Sequence, residues 1–144
     1  MTIFEGAGVA IVTPFQNDAV DLDTYQKLID RQIDLGIDAI ITCGTTGEPS
    51  TMSYDERMSV IKCAIDHVAG RVPVIASTGG NNTREVIRAS REAQALGADG
   101  LLVVTPYYKK ATQAGLIAHY TAVADAVDIP IVIYNVPGLS LIHI

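Results

Sequence analysis

Gly44-Thr45-Thr46-Gly47-Glu48 sets two neighbouring hydroxyls and their backbone amides between glycines. Glycines allow the tight backbone in which amides converge on an anion, so this segment can hold a carboxylate such as that of a 2-oxo acid. The same residues also suit an ordinary tight turn whose threonines satisfy local backbone groups. Further along, Thr105-Pro106-Tyr107-Tyr108 and Tyr134-Asn135-Val136-Pro137 place phenols after two separate apolar runs. A phenol, with an ordinary pKa of about 10, moves protons only from within a hydrogen-bonded relay. Tyrosines in such places also serve as amphipathic rim residues.

Other chemistries are poorly supplied. A lysine works as a Schiff-base nucleophile when it is borne on a strand and partly desolvated. Lys27 and Lys62 fall instead in helical segments, and Lys109 and Lys110 in a loop, where such side chains are solvated. Cys43 and Cys63 lack a Cys-x-x-Cys spacing, and His67, His119 and His143 show no ligand spacing, so neither a metal nor a disulfide is expected. Gly79-Gly80 has neither the lysine of a phosphate-binding loop nor the glycine spacing of a dinucleotide fingerprint. No cofactor is expected.

These motifs need elements to position them. Val9–Thr13, Ala39–Cys43, Val74–Ser77, Leu101–Thr105 and Ile131–Tyr134 are short apolar runs rich in Val and Ile, and read as five strands. Apolar residues recur at helical spacing between them. The stripes begin at Leu22-Tyr25-Leu28-Ile29, at Ile61-Ala64-Ile65-Val68, at Val86-Ala89-Ala93-Leu96 and at Leu116-Ile117-Tyr120-Val123-Ala124-Val127. Ser53 with Glu56 forms a capping box, Asn82 with Glu85 resembles one, and Gly70 and Gly97 are candidate helix stops. Each of the five strands ends where one of the hydroxyl- and glycine-rich segments begins.

Two strand approaches alternate. Leu35-Gly36-Ile37-Asp38 returns as Leu96-Gly97-Ala98-Asp99, and Val72-Pro73-Val74-Ile75 as Ile129-Pro130-Ile131-Val132. Helix-plus-strand units of roughly 30 residues, joined right-handedly, lay successive strands side by side in a parallel sheet. Neighbouring order without a reversing connection favours a barrel over a doubly wound sheet. The fold expected is α/β: part of a (β/α)8 TIM barrel, strands 1 to 5 and helices 1 to 4, since a whole barrel takes about 250 residues and this chain has 144. At 49% apolar residues the composition suits strands buried on both faces. A net charge of −6 without a basic block speaks against nucleic acid or anionic membrane as partner. No apolar run reaches the roughly 18 residues of a membrane span, and Val9–Phe15 lacks the basic flank of a signal peptide, so the cytoplasm is the expected location.

Taken together and in register, Gly44-Thr45-Thr46-Gly47-Glu48, Pro106-Tyr107-Tyr108 and Tyr134-Asn135-Val136-Pro137 resemble the dihydrodipicolinate synthase family, over about Gly6 to Pro137. The resemblance implies a barrel in which a lysine on the sixth strand forms a Schiff base with pyruvate, whose enamine attacks aspartate semialdehyde in lysine (diaminopimelate) biosynthesis. It implies that Thr46 binds the pyruvate carboxylate, that Tyr134 passes protons at the Schiff-base centre, and that Thr45 and Tyr108 complete the relay. Tyr108 would come from a neighbouring subunit of a homo-oligomer, a tetramer built as a dimer of dimers. Asn81, Glu85 and Tyr107 match the family's lysine-regulatory positions. Tyr54 and Arg57 stand where lysine-sensitive members resemble histidines, so feedback by lysine is expected to be weak.

The chain also departs from that pattern. Leu139 stands where the family has an arginine, and no strand carries the Schiff-base lysine. After an N-terminal barrel part at 1–138, the tail 139–144 is apolar where a polar loop belongs, which suggests truncation or foreign sequence and a chain inactive alone. Sister enzymes, an N-acetylneuraminate lyase or a 2-keto-3-deoxy sugar-acid aldolase, share the barrel and the Schiff base; Thr45 leans against the former. A half-barrel that only binds a ligand or partner, or a fragment without a role, is the reading from another class.

Overall fold

The structure, a computed structural model, describes residues 2–140, the last two as backbone. Its strands are β1 (Gly8–Ala10), β2 (Phe15–Gln16), β3 (Ala19–Val20), β4 (Ala39–Thr42), β5 (Val74–Ser77), β6 (Gly100–Val104) and β7 (Ile131–Tyr134). Helices α1 (Leu22–Asp34), α2 (Tyr54–Val68), α3 (Thr83–Leu96) and α4 (Gln113–Ala124) connect them, and a short α5 (Pro137–Ser140) follows β7. The sheet order is β1-β4-β5-β6-β7 with every pairing parallel, so the five strands expected lie in chain order as a half-barrel. Leu141–Ile144, most of the anomalous tail, lie outside the described residues.

The alternating approaches have a physical cause. Asp38 accepts the Ala7 N–H on Oδ2 at 2.8 Å and returns its own N–H to the Ala7 carbonyl at 3.0 Å. Asp99 makes the same double clasp on Val74, at 2.8 and 3.0 Å. The intervening approaches end in prolines, which lack an N–H but offer a carbonyl. Pro73 accepts from Ile40 at 3.0 Å and Pro130 from Leu101 at 2.9 Å. Each pair of strands is thus pinned in register at its amino end.

Helix ends follow their caps. Ser53 and Glu56 form the full capping box of α2, and Gly97 closes α3 at φ +101°. Asn82 caps α3 through the Arg84 N–H, but Glu85 lies beside Arg88 at 3.7 Å and completes no box. At the end of α2 two successive residues are left-handed, the cap Ala69 at φ 49° and the expected Gly70 at φ 75°. The stripe of α4 is narrower than its pattern: Leu116 and Val123 are buried, Ile117 is 66% exposed, and Val127 lies beyond the helix. The first strand also pairs more briefly than Val9–Thr13. One further bond, Ile11 N–H to the Ile41 carbonyl, follows before Pro14 ends the ladder. There the β2–β3 hairpin begins, turning on Asn17 and Asp18 at φ 52° and 62°. Asn and Asp tolerate that backbone, and the hairpin delivers Asp21 to cap α1 at the Thr24 N–H.

The core lies between sheet and helices. Tyr25, Ile29, Ile40, Ile61, Val68 and Leu101 are fully buried there. All of β5 is buried, whereas Val132, Ile133 and Tyr134 of β7 are exposed. Among the described residues, no helix is long and apolar enough to cross a membrane.

Candidate active site

At the carboxyl ends of β4 to β7 lies a cavity of about 320 Å³, walled by Thr45, Arg57, Ser77, Thr105, Tyr107 and Tyr134. Parallel α/β barrels carry their chemistry at this end.

Thr45 opens a single 3-10 turn, Thr45–Gly47, entered through Cys43 and left through Glu48, both in left-handed backbone at φ 55° and 53°. Such a conformation costs a non-glycine residue about 1–2 kcal/mol, so the surroundings must hold it. Part of that hold is a buried bond from the Thr13 hydroxyl to the Gly47 carbonyl, 2.8 Å. A Cβ at Gly47 would stand 3.2 Å from the Ile11 carbonyl oxygen, which accounts for glycine there. Thr46, next in the turn, is exposed and is not part of the cavity wall.

Tyr134 reaches the same cavity from the end of β7. Its carbonyl accepts the Thr105 N–H at 2.9 Å, and the Thr105 hydroxyl donates to Asn135 Oδ1 at 3.4 Å. Among the described residues no hydrogen bond joins Thr45 to Tyr134. Tyr107 also lines the cavity, and its backbone N–H donates to Asn81 Oδ1 at 2.7 Å. Tyr108 points away: it is 80% exposed at φ 60°, its ring edge-on to Tyr107. Gly79 lets the end of β5 press against β6, since a Cβ there would stand 2.4 Å from the Val104 nitrogen.

Arg57 enters from the first turns of α2. Its Nη2 donates to the Ser77 carbonyl at 2.6 Å, and its Nε is buried without an acceptor among the described residues. Burial pushes the guanidinium pKa down, but arginine stays charged at neutral pH. Beside it, burial pushes the Cys43 thiol up, so the thiol stays neutral. The sequence had pointed to Arg57 only by its family position; that it walls this cavity, with Cys43 and Ser77, was not read. The available signal was its place one turn into the helix that follows the threonine motif. No lysine among the described residues lines the cavity: Lys62 pairs with Asp66 on the outer face of α2, and Lys27, Lys109 and Lys110 are exposed. Nor does any cluster of metal-binding side chains occur among them.

A parallel half-barrel with hydroxyls, phenols and one guanidinium at its carboxyl end has the architecture of half a (β/α)8 barrel. The chain belongs to the dihydrodipicolinate synthetase family, whose model matches residues 3–144. It is 60% identical to the 4-hydroxy-tetrahydrodipicolinate synthase of Geobacter sulfurreducens over 94% of this chain and 47% of that protein. Among solved structures, it resembles the dihydrodipicolinate synthase of Thermotoga maritima at 45% identity and a TM-score of 0.93, covering 96% of this chain and 47% of that one. It also resembles the chloride-inhibited synthase of Acinetobacter baumannii in complex with pyruvate, at 49% identity and a TM-score of 0.92, over 96% and 48%. The chain spans about half the length of the curated relatives it matches.

Proposed function

We propose that this half-barrel is one wall of a Schiff-base pyruvate aldolase that condenses pyruvate with aspartate semialdehyde, in the synthesis of the lysine precursor. The observation that carries the reading is the cavity into which both Thr45 and Tyr134 open, at the strand ends where barrels act. The pyruvate-bound relative lends the first substrate.

In this reading the Thr45–Thr46 turn receives the pyruvate carboxylate: Thr45 lines the cavity, and Thr46, exposed just outside its wall, is the proposed ligand. A lysine amine adds to the keto carbon; the carbinolamine takes up a proton and expels water, leaving the Schiff base. Loss of a methyl proton then gives the enamine that attacks the aldehyde. Tyr134 carries these protons and Thr45, which lines the same cavity without a hydrogen bond to it, hands them on once the bound substrate bridges the two. Tyr108, turned outward, would complete the relay in a neighbouring subunit.

The amine must be one other than Lys27, Lys62, Lys109 and Lys110. All four are exposed and hydrated, whereas a Schiff-base lysine works from a partly desolvated site. Borohydride reduction with pyruvate, followed by intact mass, should give no stoichiometric adduct on the 144-residue chain and one on a barrel completed by a relative's C-terminal half. A stoichiometric adduct on Lys109 or Lys110 would overturn the assignment. A panel of aldehydes on the completed barrel separates aspartate semialdehyde from sugar-derived substrates.

A further inference from the structure

The Thr45–Gly47 turn does not hold itself. It is entered and left through left-handed, non-glycine residues, Cys43 and Glu48, and its own bonds are short-range: Gly47 N–H to the Gly44 carbonyl at 2.8 Å and Glu48 N–H to the Thr45 carbonyl at 3.2 Å. Thr51 adds its hydroxyl and its N–H to the Glu48 carbonyl, at 2.8 and 3.0 Å. Among the described residues, a single hydrogen bond reaches 45–48 from beyond 44–51: the Thr13 hydroxyl donates to the Gly47 carbonyl at 2.8 Å, across 34 positions of chain. Thr13 itself is firmly placed. It is 4% exposed, its β-branched side chain is stiff at χ1, and the Pro14 that follows disfavours a helical backbone there. The Ile11 N–H on the Ile41 carbonyl at 3.1 Å and the Asp21 N–H on the Pro14 carbonyl at 2.9 Å fasten the segment on both sides. Gly47 lets the two backbones close up, since a Cβ there would stand 3.2 Å from the Ile11 carbonyl oxygen and 3.3 Å from Thr13 Oγ1.

We propose that Thr13 is a positioning residue for this site: its hydroxyl, just past the end of β1, sets where the Thr45–Thr46 turn stands against the cavity and so how well that turn receives its substrate. Thr13 lies outside the cavity wall and acts only through the Gly47 carbonyl. The inference rests on the pyruvate-aldolase reading and deepens it by bringing in the first strand. That strand supplies no residue to the cavity wall, yet it is tied to the turn by this bond. A buried carbonyl that loses its donor is left unsatisfied, so the turn around it shifts or opens to find another. A displacement of about 1 Å in a group that places a reactant is enough to slow a reaction about a hundredfold.

The test compares Thr13→Val, which keeps the branched shape and loses the donor, with Thr13→Ser, which keeps the donor, both in the completed barrel. Amide hydrogen exchange at Gly47 and Glu48 should speed up at least about tenfold in Thr13→Val and stay near the wild type in Thr13→Ser. The Ile40 and Leu101 amides, bonded at the amino end of the sheet, should exchange as before in both variants. Steady-state kinetics well below each melting midpoint should show the pyruvate KM raised at least about threefold by Thr13→Val and restored by Thr13→Ser. Unchanged exchange at Gly47 and Glu48, faster exchange throughout the chain, equal effects of the two substitutions, or an unchanged pyruvate KM would each overturn the inference. Should Thr13→Val not fold, Thr13→Ala set against Thr13→Ser decides by the same criteria. Borohydride trapping of pyruvate on the wild-type barrel reads the aldolase assignment by itself: a barrel that traps no pyruvate fails that assignment, while the exchange pattern still reads the positioning role.

Discussion

The two ends of the sheet are built from the same materials and put to opposite uses. At the amino end, Asp38 and Asp99 each clasp a neighbouring strand's backbone twice, and Pro73 and Pro130 supply the complementary carbonyls. At the carboxyl end, the chain adopts left-handed backbone at Cys43, Glu48 and Tyr108, opens a cavity of about 320 Å³ and leaves a buried Arg57 Nε–H without an acceptor among the described residues. Polar groups that close on each other hold a register; polar groups left open can take a ligand. Substitutions at the carboxyl end should therefore change chemistry more than stability, and those at the amino end the reverse.

The sharpest test of the contrast is Tyr134→Phe in the completed barrel. It removes the phenolic proton carrier and keeps the ring, so turnover should fall about 10²- to 10⁴-fold with little change in pyruvate affinity or melting temperature. Steady-state kinetics and thermal melts decide it; an unchanged kcat would remove Tyr134 from the relay. The matching amino-end change is Asp99→Ala, which strands the Val74 N–H at the foot of β5. A loss of about 1–3 kcal/mol in urea unfolding is expected, with the kcat/KM of the folded fraction unchanged. Smaller again is Thr46→Val, which should raise the pyruvate KM severalfold, on the order of one lost hydrogen bond, and leave kcat nearly alone. Should Thr46→Val and Tyr134→Phe affect both parameters alike, their roles are misassigned.

Much of this contrast was legible beforehand because it is written in spacing. The Leu-Gly-x-Asp and x-Pro repeats marked the strand approaches, and their clasps explain why those residues recur. Strand order followed from unit length, and Thr45 with Tyr134 from their places after apolar runs. What spacing did not carry was anything settled by side-chain direction or by local turn chemistry. Thr45 and Thr46 are adjacent in sequence, yet only Thr45 walls the cavity. Arg57 sits in a helical segment where arginines are ordinarily solvated, and its turn inward is fixed by the Ser77 carbonyl, a contact between elements. The β2–β3 hairpin was missed because Asn17-Asp18 lacks the glycine that usually marks a two-residue turn.

The smallest expected effect concerns the outer layer near the carboxyl end, where His119 of α4 is buried with Nδ1 2.8 Å from the Thr83 hydroxyl at the start of α3. Its Nε2 is buried without an acceptor among the described residues, and desolvation lowers its pKa from the ordinary 6.5. The unfolded chain therefore takes up the proton at higher pH than the folded one. Where the unfolded state binds more protons, stability rises with pH, so the His119 contribution is complete above 6.5 and is lost as pH falls from there toward the folded value. Thr83 follows Asn82, the cap of α3, and Asn81, which holds the Tyr107 backbone at the cavity. Protonation should thus loosen the seam between α3 and α4 from the side that supports the cavity and leave the amino-end clasps untouched. Melting curves from about pH 8 to about pH 5 should show a steeper loss of Tm on acidification for the wild type than for His119→Asn, which offers no ring to protonate. Parallel curves would mean that His119 protonates as readily folded as unfolded, and that the acid sensitivity of this end lies elsewhere.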